Sequence, residues 1–275
     1  MRGAVHNNNK NYAWEMDMAE PAVLFECRDQ IAQITLNRPD NRNSMTAELM
    51  AGFAEALEQL RASDDVRCLV ITGRGKSFCA GGDFSASDQP LGLAHRRLLD
   101  TYEAFLAIAD LPMPVIGALN GHAIGGGFGL ALICDIRIAN EQALYGANFA
   151  RLGLHSGMSI SYMLPRLVGF SKAAELLFTG RRISGAEASR IGLASYACAA
   201  DQVLHQAHEM AQEIASNAPV AVQMMKRSLY LNADWQPRRA ADLEAHCQSR
   251  TFEMDDSREG IRALLEKRVP NFTGH

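Results

Sequence analysis

A chain of 275 residues, 48% hydrophobic and 21% charged, is long enough for one large core, and its formal charge of −4 without a basic run argues against nucleic acid as a partner. No stretch approaches the roughly 20 apolar residues of a membrane span, and residues 1–20, with Asn7, Asn8, Asn9, Lys10 and Asn11, lack an apolar signal core, so a disordered leader and a cytoplasmic protein are expected. Cys27, Cys68, Cys79, Cys134, Cys198 and Cys247 form no C-x-x-C pair and no zinc-ligand spacing with a histidine, which predicts free thiols and no metal.

In chain order, Val23 to Cys27 and Ile31 to Asn37 read as a hairpin, with Ala32, Ile34 and Leu36 in period-2 alternation. Thr46 is placed to cap a helix whose stripe is Leu49, Phe53, Leu57 and Leu60. Cys68 to Thr72 reads as a strand, Gly73 to Asp83 as a glycine-rich loop and His95 to Ala109 as a helix. Val115 to Leu119 and Leu132 to Ala139 read as further strands. This alternation predicts a layered α/β core with mostly parallel pairing. After about residue 170 no further strands are expected. Ser184 and Glu187 have capping-box spacing, and Gly192 ends that helix. Asp201 opens a helix with Val203, Ala207, Met210 and Ile214 on one side, Pro219 starts another, and Ile261, Leu264 and Leu265 mark a last one. The domain reading is therefore an α/β core over 21–195 and a helical region over 196–275.

Two glycine-rich turns each follow an apolar strand: KSFCAGGD, Lys76 to Asp83, and NGHAIGGGFG, Asn120 to Gly129. Glycines between a strand and a helix expose backbone N–H groups at the positive end of a helix dipole. Two such turns facing each other could place two donors around one oxygen, forming an oxyanion hole. The plainer alternative is tight turns and close packing. Gly125, Gly127 and Gly129 do not give the dinucleotide spacing, and Gly153-Leu154-His155-Ser156-Gly157 misplaces the serine of a hydrolase elbow.

LNRPDNRNSM, GKSFCAGGDF, PVIGALNGHAIGGGFGLALICDIRIA, PRLVG, FTGRRISGAEASRIGLAS and SREGIRALLEKRVPNFTG, in this order over about residues 20–273, resemble the enoyl-CoA hydratase/isomerase (crotonase) superfamily. The resemblance implies a spiral of ββα units and a helical trimerisation region, assembled as a homotrimer or paired trimers. It implies an acyl-CoA thioester as substrate and no separate cofactor. Its oxyanion donors are matched here to the backbone amides of Ala80 and Gly126. Arg42 matches the turn beside the CoA pantetheine and phosphates; an exposed turn arginine is the alternative. Phe78, Asp83, Phe84 and Gly125 match the pocket lining, and Lys267 and Phe272 match a C-terminal segment reaching the adenine end.

The family's three acid positions fall here on Gly129, Phe149 and Gly157, none of which can transfer a proton. True hydratase activity is therefore doubtful, and decarboxylase, hydrolase or non-catalytic acyl-CoA binding stand as alternatives. The polar residues expected nearby are His155, Ser156, Asn148, Tyr145, Asp88 and His95. His155 fits best by type because imidazole titrates near neutrality, with a structural histidine as the alternative. His122 is expected to pack under its turn, and Asp88 to be either a solvated loop acid or a lid residue.

Overall fold

The computed structural model describes residues 20–83, 95–152, 154–232 and 253–275. Most of the expected leader, together with Phe84, Asp88, Gly153, Cys247 and the side chains of His95 and Leu264, lies outside the described residues. Among those described, the strands are β1 (Val23–Arg28), β2 (Ile31–Leu36), β3 (Cys68–Gly73), β4 (Ser77–Cys79), β5 (Val115–Leu119), β6 (His122–Ile124), β7 (Ile136–Asn140), β8 (Leu144–Gly146), β9 (Ile183–Ser184) and β10 (Tyr196–Cys198). The helices are α1 (Ala47–Ala62), α2 (His95–Leu106), α3 (Gly126–Ile133), α4 (Ile160–Val168), α5 (Phe170–Thr179), α6 (Gly185–Arg190), α7 (Val203–Ala215), α8 (Pro219–Asn232) and α9 (Asp255–Glu266).

One sheet runs β1-β2-β3-β5-β7-β10, and a smaller one runs β4-β6-β8-β9. Apart from the antiparallel β1–β2 hairpin, the large sheet is parallel. The chain climbs as a spiral: β3, β5 and β7 lie in the large sheet, and β4, β6 and β8 follow them in the small one. Asparagines stitch the corners between the sheets. Asn120 accepts from Gly73 N at 3.0 Å and donates to Gly75 O at 2.9 Å, while Asn140 donates to Asn120 O at 2.9 Å. Asn43 accepts from Arg38 N at 2.8 Å and donates to Ser77 O at 2.8 Å.

The unbroken apolar run of β3 follows from coverage on both faces. Leu69 and Ile71 face the main core beneath α1, whereas Cys68 and Val70 face Val203, Ala207, Ala211 and Ala215 of α7. That stripe of small residues lets α7 lie close on the sheet, with Met210 and Ile214 at its margins rather than at its centre. Thr46 caps α1, accepting from Leu49 N, and the helix buries Leu49, Phe53, Leu57 and Leu60 as expected.

Four expectations need correction. The loop from Gly73 to Asp83 contains β4. The apolar run expected as a strand from Leu132 belongs to α3 until Ile133, and β7 begins only at Ile136. Strands continue past residue 170 as β9 and β10, and β10 joins the large sheet beyond the boundary drawn at 195. Asp201 lies in the turn before α7, whose N-cap position is Gln202.

Candidate active site

The two glycine turns meet. A Cβ added at Gly81, where φ is +83°, would stand 2.5 Å from Ile124 O and 2.9 Å from Gly126 N. A Cβ at Gly127 would stand 2.6 Å from both the carbonyl carbon and the Cβ of Cys79, and one at Gly126 would overlap the Met45 sulfur. Backbone therefore lies against backbone where β4 runs out beside the start of α3, and only glycine permits that approach. Gly126 opens α3, so its amide is one of those with no partner inside the helix, at the positive end of the dipole.

The first turn differs from the expected assignment. Ala80 N donates to the Arg42 carbonyl at 3.1 Å, so that amide is occupied. Met45 N donates to Gly81 O at 2.8 Å, and Met45 and Gly82 form an isolated parallel bridge. In a parallel bridge of this register the amide of the opposite residue, Gly82, turns away from Met45. Among the described residues Gly82 N and Gly126 N have no acceptor.

Packing fills the three acid positions. A Cβ at Gly129 would run into the Met158 side chain, with Met158 Cγ 3.2 Å away. Phe149 is half-buried, its Cζ 3.7 Å from where a Gly125 Cβ would stand. A Cβ at Gly157 would overlap the Tyr102 hydroxyl and stand 2.9 Å from Tyr102 Cζ. Tyr102 lies on α2, three residues before Phe105 and so on the same helical face. Phe105 is held edge-on against Phe53 of α1, with ring centroids 4.8 Å apart. That contact aims Tyr102 inward. Desolvation by burial raises the Tyr102 phenol pKa, so the group is neutral at ordinary pH.

The other expected residues scatter. Phe78 is fully buried in the core. Asp83 is exposed directly after the first turn, and Arg42 is exposed in a left-handed turn conformation at φ 60°. His155 is exposed, and its Nδ1 donates to the neighbouring Ser156 carbonyl at 2.7 Å. Tyr145 is buried and its hydroxyl donates to Leu119 O at 3.0 Å, so it serves the core. His122 is exposed rather than packed under its turn, and its Nδ1 accepts from Leu144 N at 2.9 Å. Lys267 is exposed, while Phe272 sits against Gly260 of α9. The Phe272 carbonyl accepts from Arg67 at 2.9 Å, just before β3 begins. The glycine turns leave the far end of β3, so Phe272 does not approach the site of its own chain.

Tyr102, Met158 and Met45 were missed by the sequence reading. A tyrosine facing a glycine loop 55 positions later carries no local pattern, and Met158 lies in a turn without periodicity. Among the described residues no group of His, Cys, Asp and Glu could hold a metal ion.

The comparisons agree with this geometry. The sequence profile described as enoyl-CoA hydratase/isomerase matches residues 26–275. An enoyl-CoA hydratase of Mycobacterium tuberculosis is 35% identical over 258 residues, covering 92% of this chain and 96% of that protein. The mitochondrial enoyl-CoA hydratase domain-containing protein 2 of Bos taurus is 37% identical over 253 residues, covering 89% of this chain and 84% of that protein. The crystal structure of an enoyl-CoA hydratase from Bacillus anthracis superposes with a TM-score of 0.85 at 32% identity, covering 92% of this chain and all of that one. With the two-sheet spiral and the joined glycine turns, this match along nearly the whole length places the chain in the enoyl-CoA hydratase/isomerase family of the crotonase superfamily.

Proposed function

We propose that the protein is an enzyme that binds an acyl-CoA thioester with its carbonyl oxygen between the amides of Gly82 and Gly126, and that it acts on the acyl group through the resulting enolate. The observation that carries this reading is the contact between the two turns, which brings one amide without an acceptor beside another at the start of α3. Two such donors stabilise developing charge on the oxygen, and losing one costs about 10²–10³ in rate. Exposed Arg42 is suited to a CoA phosphate, because a guanidinium binds phosphate with paired donors.

Simple hydration is disfavoured in this reading. Water addition requires a base for water and an acid for Cα, each contributing about 10²–10⁴. Gly129 and Phe149 stand at the positions that the resemblance matches to the family's glutamates, and a side chain at Gly129 would meet Met158. The test pairs calorimetric titration of butyryl-CoA with a crotonyl-CoA hydration assay. Butyryl-CoA is expected to bind and crotonyl-CoA to turn over below about 10 s⁻¹, the enzyme median. No binding of butyryl-CoA would sink the thioester reading; fast hydration would sink the inference from the missing acids.

A further inference from the structure

We propose that Met45 is a site of reversible oxidation, and that the oxygen of its sulfoxide takes the place of the thioester oxygen at the Gly82 and Gly126 amides and so shuts the site to acyl-CoA. This rests on the thioester reading above and adds a regulation of that same site.

Met45 belongs to both glycine turns at once. Its backbone is fixed to the first: Met45 N donates to Gly81 O at 2.8 Å, and the residue forms the parallel bridge with Gly82. Its side chain crosses to the second. A Cβ added at Gly126 would overlap the Met45 sulfur, and it would stand 3.4 Å from Met45 Cε and 3.8 Å from Gly81 Cα. In a helix the Cα–Cβ bond leans toward the N-terminus, the direction in which the first-turn N–H groups also point. Gly126 is the first residue of α3, so the Met45 sulfur lies off that end of the helix, where the Gly126 amide is presented. A thioether sulfur is only a weak acceptor and leaves such an amide to a better one.

Oxidation supplies the better acceptor on the same sulfur. The sulfur lone pair attacks an oxygen of a hydroperoxide, the O–O bond breaks and an S–O bond forms. The departing oxygen takes a proton and leaves as water or an alcohol. Sulfur gives up two electrons and the peroxide gains them. The sulfoxide is polar where the thioether was apolar, and its oxygen stands at the positive end of the α3 dipole. Tethered by its own chain, that oxygen competes with an incoming thioester at a high effective concentration.

Two other sulfurs lie near the turns, and each is shielded. Cys79 is fully buried, and burial pushes its thiol up to about 12, which removes the thiolate that reacts with peroxide. Met158 is 1% exposed, whereas Met45 keeps 9%. A thioether has no proton to lose, so its oxidation depends on access, and access favours Met45.

The test titrates the full-length protein with butyryl-CoA by calorimetry before and after hydrogen peroxide, and maps the added oxygen by peptide mass. Met225, 58% exposed, serves as the internal marker of dose. At a dose that oxidises Met225, wild type is expected to carry a sulfoxide at Met45 and to lose at least about tenfold in affinity, since the oxygen removes two donors from the thioester. Methionine sulfoxide reductases of both epimer specificities, with dithiothreitol, should restore binding, and dithiothreitol alone should not. Met45→Leu, compared with its own untreated form, is expected to keep its affinity through the same treatment. If Met45→Leu fails to fold, the wild type decides: the affinity lost must follow the fraction of Met45 sulfoxide across peroxide doses. A Met45 left unoxidised when Met225 is fully oxidised overturns the modification site. Unchanged binding after Met45 is oxidised, or an equal loss in Met45→Leu, overturns the block. Untreated wild type that does not bind butyryl-CoA overturns the thioester reading and the block together.

Discussion

At the scale of single residues, the site is defined by what glycines admit. Gly129 is the sharpest case, since the Met158 side chain has moved into the space a glutamate would need. Gly129→Glu alone is therefore expected to destabilise the fold by about 1–3 kcal/mol, the usual cost of overpacking, and to give no hydration. Phe149 is only half-buried, so Phe149→Glu is expected to fold and is the better single route to measurable crotonyl-CoA hydration. Thermal melts and hydration rates of the two variants check this, and a stable, active Gly129→Glu would contradict it. The thiols supply a pH prediction. Burial pushes Cys68, Cys79 and Cys134 up to about 12 from 9.0. The folded state then holds protons that the unfolded state releases above pH 9. Stability should be intact below pH 9 and fall between pH 9 and 12 as the thiols of the unfolded state ionise. Denaturant midpoints across that range, with Cys79→Ala for comparison, measure the slope.

The glycine motifs made the two turns legible in the sequence, but the choice of amide was not. Ala80 and Gly82 are separated only by which residue Met45 pairs with, and pairing register is a tertiary property. The empty acid positions were equally legible, while their occupants were not, because Tyr102 and Met158 arrive there through helix packing rather than sequence spacing.

At the scale of elements, the pattern that a segment must satisfy decides how well it can be read. The cap at Thr46, the α1 stripe and β5 follow from local propensity and period, and the structure keeps them. The small sheet was hidden because β4, β6 and β8 have three residues each and β9 has two, too short to show alternation. The apolar run into Ile133 fits a buried strand as well as a buried helix, and α3 is buried along its whole length. Ser184 caps α6, accepting from Glu187 N at 3.1 Å, but the Glu187 carboxylate binds Arg181 at 2.8 and 3.1 Å instead of closing the box. The corners between the sheets rest on asparagine. Asn43 is fully buried with φ 54°, and it spans from Arg38 to the carbonyls of Arg74, Ser77 and Phe78. Asn43→Ala is expected to cost about 1–3 kcal/mol, since it leaves buried carbonyls without donors. A chemical denaturation midpoint unchanged from wild type would show that water or rearrangement replaces the asparagine.

At the scale of the molecule, the large sheet packs against α1 on one face and α7 on the other. No described helix is long and apolar enough to cross a membrane. Lys226 of α8 pairs with Asp135 at 2.8 Å and donates to Met113 O at 2.9 Å, which fixes one side of that helix to the body of the fold. Its other side presents Met225 and Leu229, the latter 75% exposed. Phe170 and Phe178 on α5 are 81% and 79% exposed, and Leu265 on α9 is 78% exposed. Self-association would cover such side chains. The C-terminal tail points the same way. Arg67 holds Phe272 at the end of β3 opposite the glycine turns, so Lys267 and Phe272 can serve a CoA site only in a second copy. We therefore expect self-association as a homotrimer or a pair of trimers. Light scattering at micromolar concentration should give three or six times the chain mass. Replacing both Leu229 and Leu265 with Asp should shift the protein toward monomer without lowering the cooperativity of its melt, because both side chains are exposed in the single chain. A wild-type protein that is monomeric at that concentration would remove the assembly from this account, and with it any role for Lys267 and Phe272 in binding CoA.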